Sequence, residues 1–496
     1  MKKLLMIVCI LLTLCSCSYT AIDSEHSDDI TTSESNQAAS DNDDFEEVSK
    51  KYPDKTVLVW AIEGYIQSVK TSAINEYLDS LGCDFAVCFL PVADNVMCDA
   101  NSDKTTLEQI KKMTNEGQQL DIVYSVSLLS GTDDCINSYH SLVKDGALIP
   151  LDDYLANTEI GKNLYSLMPE KHWEGLKVSG QIYGVSGAMS TLSCYTGYSV
   201  DKTIADEYGF DVNASPLEQL DILSEIAKEH TVCFPQYFNF PNLYSPAYLI
   251  TWSVYWDNSE GKAKCILENE GFLRNLETYY TLRKNGFVSE RNDDFPFIYF
   301  EGNQHGSGSA TYQDRYGVYD SNVYITPART AIGISVNSKH PDKAFELLAL
   351  SQTDPYLNNL LAYGVEGEDY TLAGGKADCK NSRYSLRCDI FANKLICLPD
   401  KYSPTQVSEI YRQTLENAEL PSCIGFILNV QDILETINKA DYFFILNEFG
   451  NMLNSDSYES FDALIQACKA KLDEYGMKEL TDEINRQYEE WKNENN

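Results

Sequence analysis

The sequence predicts an α/β fold that is divided into more than one domain. Between residues 55 and 126, short apolar runs alternate with helix-like segments, which is the pattern of a parallel sheet covered by helices. The chain has 496 residues. A single hydrophobic core rarely extends beyond about 250–300 residues, so we expect two or three domains.

The first strands and helices of the folded part follow one another in a regular order. Predicted strands lie at 55–61, 83–92 and 121–126, and predicted helices lie at 72–81 and 105–115. A glycine follows each helix, as is common where helices end. Parallel sheets bind ligands beyond the carboxyl ends of their strands. The turns that begin at Ile62 and Ser125 are therefore predicted binding turns.

The N-terminus has the features of a bacterial secretion leader. Lys2 and Lys3 precede an apolar run at 4–14 that is shorter than the roughly 20 residues needed to span a bilayer. The run ends in Leu14-Cys15-Ser16-Cys17, which resembles the lipobox of bacterial lipoproteins. This resemblance implies a signal peptide at 1–16 and a lipid anchor on Cys17. The alternative is an ordinary cleaved signal with incidental cysteines.

The segment after Cys17 has the composition of a disordered tether. Residues 18–52 hold ten acidic residues and few large apolar side chains. Such a segment buries too little apolar surface to fold, and its like charges keep it extended. We therefore predict a lipidated cysteine and a disordered acidic tether at 17–52.

Composition excludes several classes of function. A net charge of −37, from 75 acidic and 38 basic residues, disfavours nucleic acid as a partner. The sequence has no Cys-x-x-Cys pair, no His-Glu-x-x-His and no Gly-x-Ser-x-Gly. We therefore expect no cofactor, no bound metal and no catalysis. The candidates for a disulfide are Cys379, Cys388 and Cys397, and the pairing stays open.

A series of short segments recurs along the folded part of the chain. The series includes Asp145-Gly146-Ala147-Leu148-Ile149-Pro150-Leu151-Asp152 and Gly180-Gln181-Ile182-Tyr183-Gly184-Val185, and later members lie at 335–350, 353–355, 363–370 and 483–491. Together these segments resemble the extracellular solute-binding proteins of ABC importers, specifically the sugar-binding family. They occur in the family's order over most of residues 54–495.

The resemblance implies a two-lobed periplasmic-binding-protein-like fold of the hinged type II, in which each lobe is a mixed sheet flanked by helices. We expect lobe 1 at 53–190 with 330–395, and lobe 2 at 191–329 with 396–450. Residues 451–496 are expected to form C-terminal helices that pack on the lobes. Chain crossings between lobes are expected near 188–195, 328–333 and 370–400.

Aromatic rings and polar side chains on the expected cleft turns are the candidate ligand contacts, because rings stack on sugar faces and polar groups bind hydroxyls. The candidates are Glu63, Tyr65, Ser127, Ser193, Tyr195, Tyr244, Tyr248, Trp252, Trp256 and Arg329. Each has a structural alternative. Trp252 and Trp256 would share one face of a helix and could be core residues. Arg329 could form a salt bridge between lobes, and Glu63 and Tyr65 could be solvated turn residues.

The resemblance implies a membrane-anchored substrate-binding protein of an ABC importer, held on the extracellular face by its lipid. It would capture a neutral solute, with an oligosaccharide as the expected cargo, in the cleft between lobes and deliver it to permease subunits as a monomer. The alternatives are a peptide or other small molecule as cargo, a non-transport glycan-binding surface lipoprotein, and a surface glycan hydrolase.

Overall fold

The computed structural model describes fourteen stretches of the chain. They are residues 42–63, 69–92, 100–125, 138–193, 195–234, 248–289, 296–303, 315–319, 323–328, 330–379, 391–401, 403, 405–431 and 433–495. The predicted leader and the lipobox with Cys17 lie outside these residues. Among the described residues, no helix combines the length and the apolar composition needed to cross a bilayer.

Helices and strands alternate along most of the chain. The α-helices are α1 Asn42–Lys51, α2 Thr71–Ser80, α3 Ala100–Asn115, α4 Ser138–Lys144, α5 Asp152–Asn157, α6 Glu159–Leu167, α7 Glu170–Leu176, α8 Lys202–Tyr208, α9 Leu220–Ile226, α10 Glu270–Lys284, α11 Pro341–Thr353, α12 Pro355–Tyr363, α13 Val407–Asn417, α14 Leu434–Ile437, α15 Phe449–Leu453, α16 Phe461–Glu474 and α17 Met477–Asn495. The strands are β1 Thr56–Glu63, β2 Phe85–Val92, β3 Ile122–Ser125, β4 Lys177–Val178, β5 Gln181–Ile182, β6 Gly184–Val185, β7 Tyr195–Asp201, β8 Tyr248–Leu249, β9 Val254–Asp257, β10 Lys262–Cys265, β11 Ile298–Asn303, β12 Arg315–Tyr319, β13 Ala331–Ile334, β14 Tyr370–Ala373 and β15 Lys376–Cys379. A π-helix spans Asn438–Glu448 between α14 and α15.

A five-stranded mixed sheet in the order β2-β1-β3-β13-β6 forms the centre of the first lobe. Strands β1, β2 and β3 are parallel, as predicted, whereas β13 joins β3 and β6 in antiparallel fashion. Strands β1 and β2 are buried along almost their whole length. This agrees with their nearly continuous apolar sequences, because a parallel sheet is covered on both faces. The three predicted strands and the two predicted helices of this region are confirmed, although α3 begins earlier than expected.

Helix α1 corrects part of the predicted tether. Residues 42–51 fall within the segment that was expected to be disordered, yet they form a helix. Phe45 and Val48 lie three residues apart, hence on one face. They pack with Tyr52 against a small cluster that includes Val57 and Cys88 of the first sheet. The predicted disorder was wrong for 42–51, since two apolar residues at helical spacing are enough to attach a short helix to an existing surface.

The second lobe is built on two antiparallel three-stranded sheets, in the orders β11-β7-β12 and β10-β9-β8. Its hydrophobic core draws on residues between Tyr198 and Phe300 and again between Cys423 and Tyr488. The C-terminal helices α16 and α17 belong to this core through Cys468 and Ile484, among others. The two separate cores confirm the predicted two-lobed α/β fold. The predicted mixed sheet is found in lobe 1, whereas the strands of the two lobe 2 sheets pair in antiparallel fashion.

The chain passes between the two cores at three places that lie side by side. The first core includes Leu192, Ile325 and Ala418, one at each crossing. The second core begins at Tyr198 after the first crossing, has Phe300 as its last buried residue before the second, and resumes at Cys423 after the third. A β-bridge joins Leu192 to Ile325, and another joins Tyr324 to Glu419. The second crossing is thus near 323, ahead of the predicted 328–333, because Ala331–Ile334 is already paired with β3.

The third crossing lies at 419–422 and not near 370–400, where it was expected. Helix α13 buries Val407, Tyr411 and Leu415 in the first core, so the chain stays in lobe 1 until Ala418. The structure therefore places α13 in lobe 1, whereas the sequence analysis assigned 396–450 to lobe 2. Residues near 370–400 instead contribute the β14–β15 hairpin and a small satellite core around Tyr363 and Tyr370.

Candidate ligand-binding site

The carboxyl ends of three parallel strands define one wall of the expected cleft. Glu63 is the last residue of β1 and is paired with Val92, the last residue of β2, while β3 ends nearby at Ser125. This is the edge of a parallel sheet at which ligands bind in α/β folds. Glu63 is thus placed at the predicted edge. Of the other candidates, Tyr65, Ser127, Tyr244 and Arg329 lie outside the described residues.

Ser193 and Tyr195 lie at the first crossing between lobes. Ser193 is buried, and its backbone N–H donates to the carbonyl of Tyr324 at 2.9 Å. In return, the backbone N–H of Tyr324 donates to the Ser193 hydroxyl at 2.9 Å. Tyr195 begins β7 and is paired with Asn303. Ser193 therefore joins two of the crossings, a structural role that the sequence did not predict.

Tyr248 and Trp256 face one another across the β8–β9 pair and are buried in the second core. The Trp256 indole N–H donates to the Ser422 hydroxyl at 3.0 Å, and the ring lies 4.4 Å from the ring of Tyr488. Burial raises the pKa of Tyr248 well above the usual value, and the Cys423 thiol acts in the same direction. Both side chains thus hold the end of the third crossing, and their role as ligand contacts stays a prediction.

Trp252 has a different position from Trp256. The expectation that the two share a helix face was wrong, because Trp256 belongs to strand β9 and Trp252 lies in the preceding turn. We call residues Ile250–Ser253, which join β8 to β9, the Trp252 turn. Trp252 is partly buried against the second core, so part of its surface remains accessible. Trp252 thus differs from the candidates Tyr248 and Trp256, which are both buried.

The Trp252 turn is held by one buried carboxylate, that of Asp441 in the π-helix. Asp441 accepts hydrogen bonds from the backbone N–H of Trp252 at 3.0 Å and of Ser253 at 2.9 Å. It also accepts from the hydroxyl of Thr251 at 3.2 Å and from the hydroxyl of Ser253. Burial raises the pKa of Asp441 to about 6, although these hydrogen bonds act in the opposite direction.

The sequence analysis missed Asp441 and its helix. Asp441 stands in a segment whose apolar residues gave no clear period, and nothing in its neighbourhood marks it as buried. The same helix carries Phe443, which is 52% exposed, beside the buried Phe444. An adjacent pair of phenylalanines usually indicates core, and only the structure distinguishes the outward ring. π-helices are rare and often occur at functional sites.

Among the residues that the structure describes, no group of three or more His, Cys, Asp or Glu side chains is arranged to hold a metal ion. The site elements that are described, a strand edge, a hinge and an aromatic turn, offer hydrogen bonds and ring surfaces. Such groups suit the binding of a neutral polar ligand.

Comparisons with known proteins agree with the fold. A carbohydrate ABC transporter substrate-binding protein of Streptococcus pneumoniae serotype 4 is 21% identical over 420 residues, which are 77% of this chain and 82% of that protein. No family model matches the chain.

Solved structures give the same picture. The N-glycan transport solute binding protein of Streptococcus pneumoniae superposes with a TM-score of 0.58 at 19% identity, covering 88% of this chain and 99% of that one. Its complex with Man1GlcNAc gives a TM-score of 0.55. An alginate-binding protein without calcium ion gives 0.50 at 13% identity, over 88% of this chain and 97% of that one. The predicted resemblance to solute-binding proteins of ABC importers is confirmed, and at these identities the structures establish the fold.

Proposed function

We propose that this chain is the substrate-binding protein of an ABC importer and captures an oligosaccharide between its two lobes. The observation that carries the proposal is the pair of separate hydrophobic cores joined by three adjacent crossings. Such an arrangement lets two rigid bodies close on a ligand through changes in a few residues. Closure follows ligand binding because only the closed form lets both lobes touch the ligand.

The proposed cargo is supported by what the relatives bind and by the chemistry of the Trp252 turn. The relatives named above are described as binding or transporting carbohydrate, N-glycan or alginate. Glu63, at the end of β1, is the proposed polar contact, and the Trp252 ring on the second lobe is the proposed stacking surface, the two kinds of contact that a sugar needs. Tyr65, Ser127, Ser193, Tyr195, Tyr244, Tyr248, Trp256 and Arg329 remain proposed contacts.

Isothermal titration calorimetry against a set of sugars tests the cargo. The set contains Man1GlcNAc, larger oligomannose glycans, alginate oligosaccharides and, as the contrasting class, tri- to hexapeptides. We expect a glycan to bind and peptides to give no heat. Small-angle scattering on the same samples should show a smaller radius of gyration with the bound glycan. Heat from peptides alone would overturn the proposed cargo, and an unchanged shape with bound ligand would overturn closure.

We also propose that Cys17 carries a lipid anchor, that residues 18–41 form the tether, and that the protein acts outside the cell beside permease subunits as a non-catalytic monomer. Expression of the full chain and of Cys17→Ala in a Gram-positive host tests the anchor. The wild-type chain should sediment with membranes, and the variant should not. Incubation with the bound glycan should release no reducing ends, and light scattering should give the mass of one chain.

A further inference from the structure

We propose that Asp441 is a positioning residue of the binding site: its carboxylate fixes the Trp252 turn against the π-helix and thereby sets the orientation of the Trp252 ring. This inference rests on the proposed function, because it assigns Trp252 a ligand to meet. It names a residue remote in sequence, with 188 to 190 positions separating Asp441 from its partners.

The contact set of Asp441 is specific to a carboxylate. Every partner is a donor: the backbone N–H groups of Trp252 and Ser253, and the hydroxyls of Thr251 and Ser253. One carboxylate oxygen, Oδ1, accepts from Thr251 and Ser253, while the other, Oδ2, accepts from Trp252 alone. Oδ1 therefore holds residues 251 and 253 of the turn, whereas Oδ2 holds Trp252.

Burying the Asp441 carboxylate costs free energy that its hydrogen bonds have to offset. The residue is 5% exposed. Burial of a carboxylate is unfavourable unless its hydrogen bonds replace those lost to water. The hydrogen bonds that compensate all go to three consecutive residues, 251–253. A side chain that served only to cap the π-helix would bond that helix's own backbone, and Asp441 instead bonds the turn.

Backbone hydrogen bonds fix both ends of the turn. The N–H groups of Ile250 and Thr251 donate to the carbonyl of Val254 at 2.9 and 3.2 Å, and the carbonyl of Ser253 accepts from the N–H of Ile266 at 2.8 Å. Between these ends, the Asp441 carboxylate binds the backbone N–H of Trp252. It therefore adds a constraint at the residue that carries the ring.

The substitution Asp441→Asn removes one part of this contact set and keeps the other. The single carbonyl oxygen of the asparagine can keep the Ser253 and Thr251 contacts, whereas its amide group, itself a donor, faces the N–H of Trp252. Asp441→Asn therefore removes the Trp252 contact and keeps the shape. Ser253→Ala is the matched variant, because it removes one hydroxyl contact and leaves both backbone contacts. Glu435→Gln, an 85% exposed carboxylate near the start of the π-helix, is the surface control.

The first measurement needs no ligand. Acrylamide quenching of Trp252 fluorescence is obtained as the difference between each protein and its Trp252→Phe counterpart. We expect Asp441→Asn to increase the quenching of Trp252, while Ser253→Ala and Glu435→Gln leave it as in the wild type. Unchanged quenching in Asp441→Asn, or an equal increase in Ser253→Ala, would overturn the inference. If Asp441→Asn does not unfold cooperatively, the Thr251→Val/Ser253→Ala double variant replaces it. Its Trp252 should still be protected, and increased quenching there counts against the inference.

The second measurement is the affinity for Man1GlcNAc by calorimetry. Loss of the acceptor for the Trp252 N–H, and with it of one constraint on the turn, should weaken binding about tenfold in Asp441→Asn, with little change in Ser253→Ala. Equal affinities of wild type and Asp441→Asn would overturn the inference. Absence of binding by the wild type would count against the proposed function for this glycan, and the quenching experiment would still decide the role of Asp441.

Discussion

The two lobes reach stability by different routes. The first lobe is organised by a mixed sheet whose parallel strands β1 and β2 are mostly apolar, so its core forms from segments that each carry a strong local signal. The second lobe assembles short antiparallel strands with helices from the far end of the chain, and its fit depends on single long-range contacts such as Asp441 to the Trp252 turn and Trp256 to Ser422. The difference shows that a lobe can have a complete core while one of its turns is held by a side chain that is distant in sequence.

The largest expected effect comes from deleting matched core leucines, one in each lobe. Leu58 in β1 and Leu276 in α10 are both 0% exposed. We expect Leu58→Ala and Leu276→Ala each to lower the free energy of unfolding by about 2–5 kcal/mol. Hydrogen exchange should show lost protection confined to the lobe that carries the change. Equal loss in both lobes for either variant would mean that the two cores behave as one.

A second contrast concerns pH, through His172 at 0% exposure in helix α7 of the first lobe. Its Nδ1 lies 2.7 Å from the Thr191 hydroxyl, and burial lowers its pKa to about 4. The unfolded chain takes up the proton at about pH 6.5, so the stability that the neutral ring contributes is lost as pH falls below that value. Relative to His172→Gln, the wild type should lose about 2 kcal/mol between pH 7 and pH 5, as measured by urea unfolding.

Asp441 in the second lobe should change the free energy of unfolding with pH in the opposite direction. Its folded pKa of about 6 is above the unfolded value of 3.8, so the cost of burying the charge disappears as pH falls through 6. Relative to Asp441→Asn, the wild type should gain about 1 kcal/mol over the same pH interval. The same sign for both residues would contradict the assigned burial of one of them.

A smaller effect is expected at the third crossing. Trp256→Phe keeps the ring in the second core but removes the N–H that donates to Ser422. The loss of one buried hydrogen bond should cost about 1 kcal/mol in urea unfolding. If Trp256 holds the crossing and does not touch the ligand, Trp256→Phe should change the glycan affinity less than Trp252→Phe does. The reverse order would favour Trp256 as the direct contact.

The smallest change concerns helix α1. Val48 is 9% exposed and packs against the first sheet. Val48→Ala should therefore lower the free energy of unfolding by about 1 kcal/mol, whereas Glu46→Gln, in an exposed pair with Lys50, should leave it within about 0.5 kcal/mol. Equal effects would indicate that α1 does not pack on the first lobe.

Local sequence was sufficient for much of the first lobe. Strand β1 and helix α2 could be predicted because apolar spacing and a terminal glycine are properties of neighbouring residues. The same reasoning failed for Phe45 and Val48, whose two apolar side chains are too few to indicate a helix without the surface that receives them. For the site, Glu63 could be placed at a strand end, but Trp256 could not be distinguished from Trp252 by composition or spacing.

The sequence by itself determined the α/β class, the early strands and helices, and the resemblance to solute-binding proteins, since each depends on residues that are close in the chain. Only the tertiary structure decided where the third crossing lies, which tryptophan is core, and which carboxylate holds the aromatic turn. The physical reason is that burial and hydrogen-bond partnership are set by what lies opposite in space, and for Asp441 and Trp256 those partners stand more than 160 residues away.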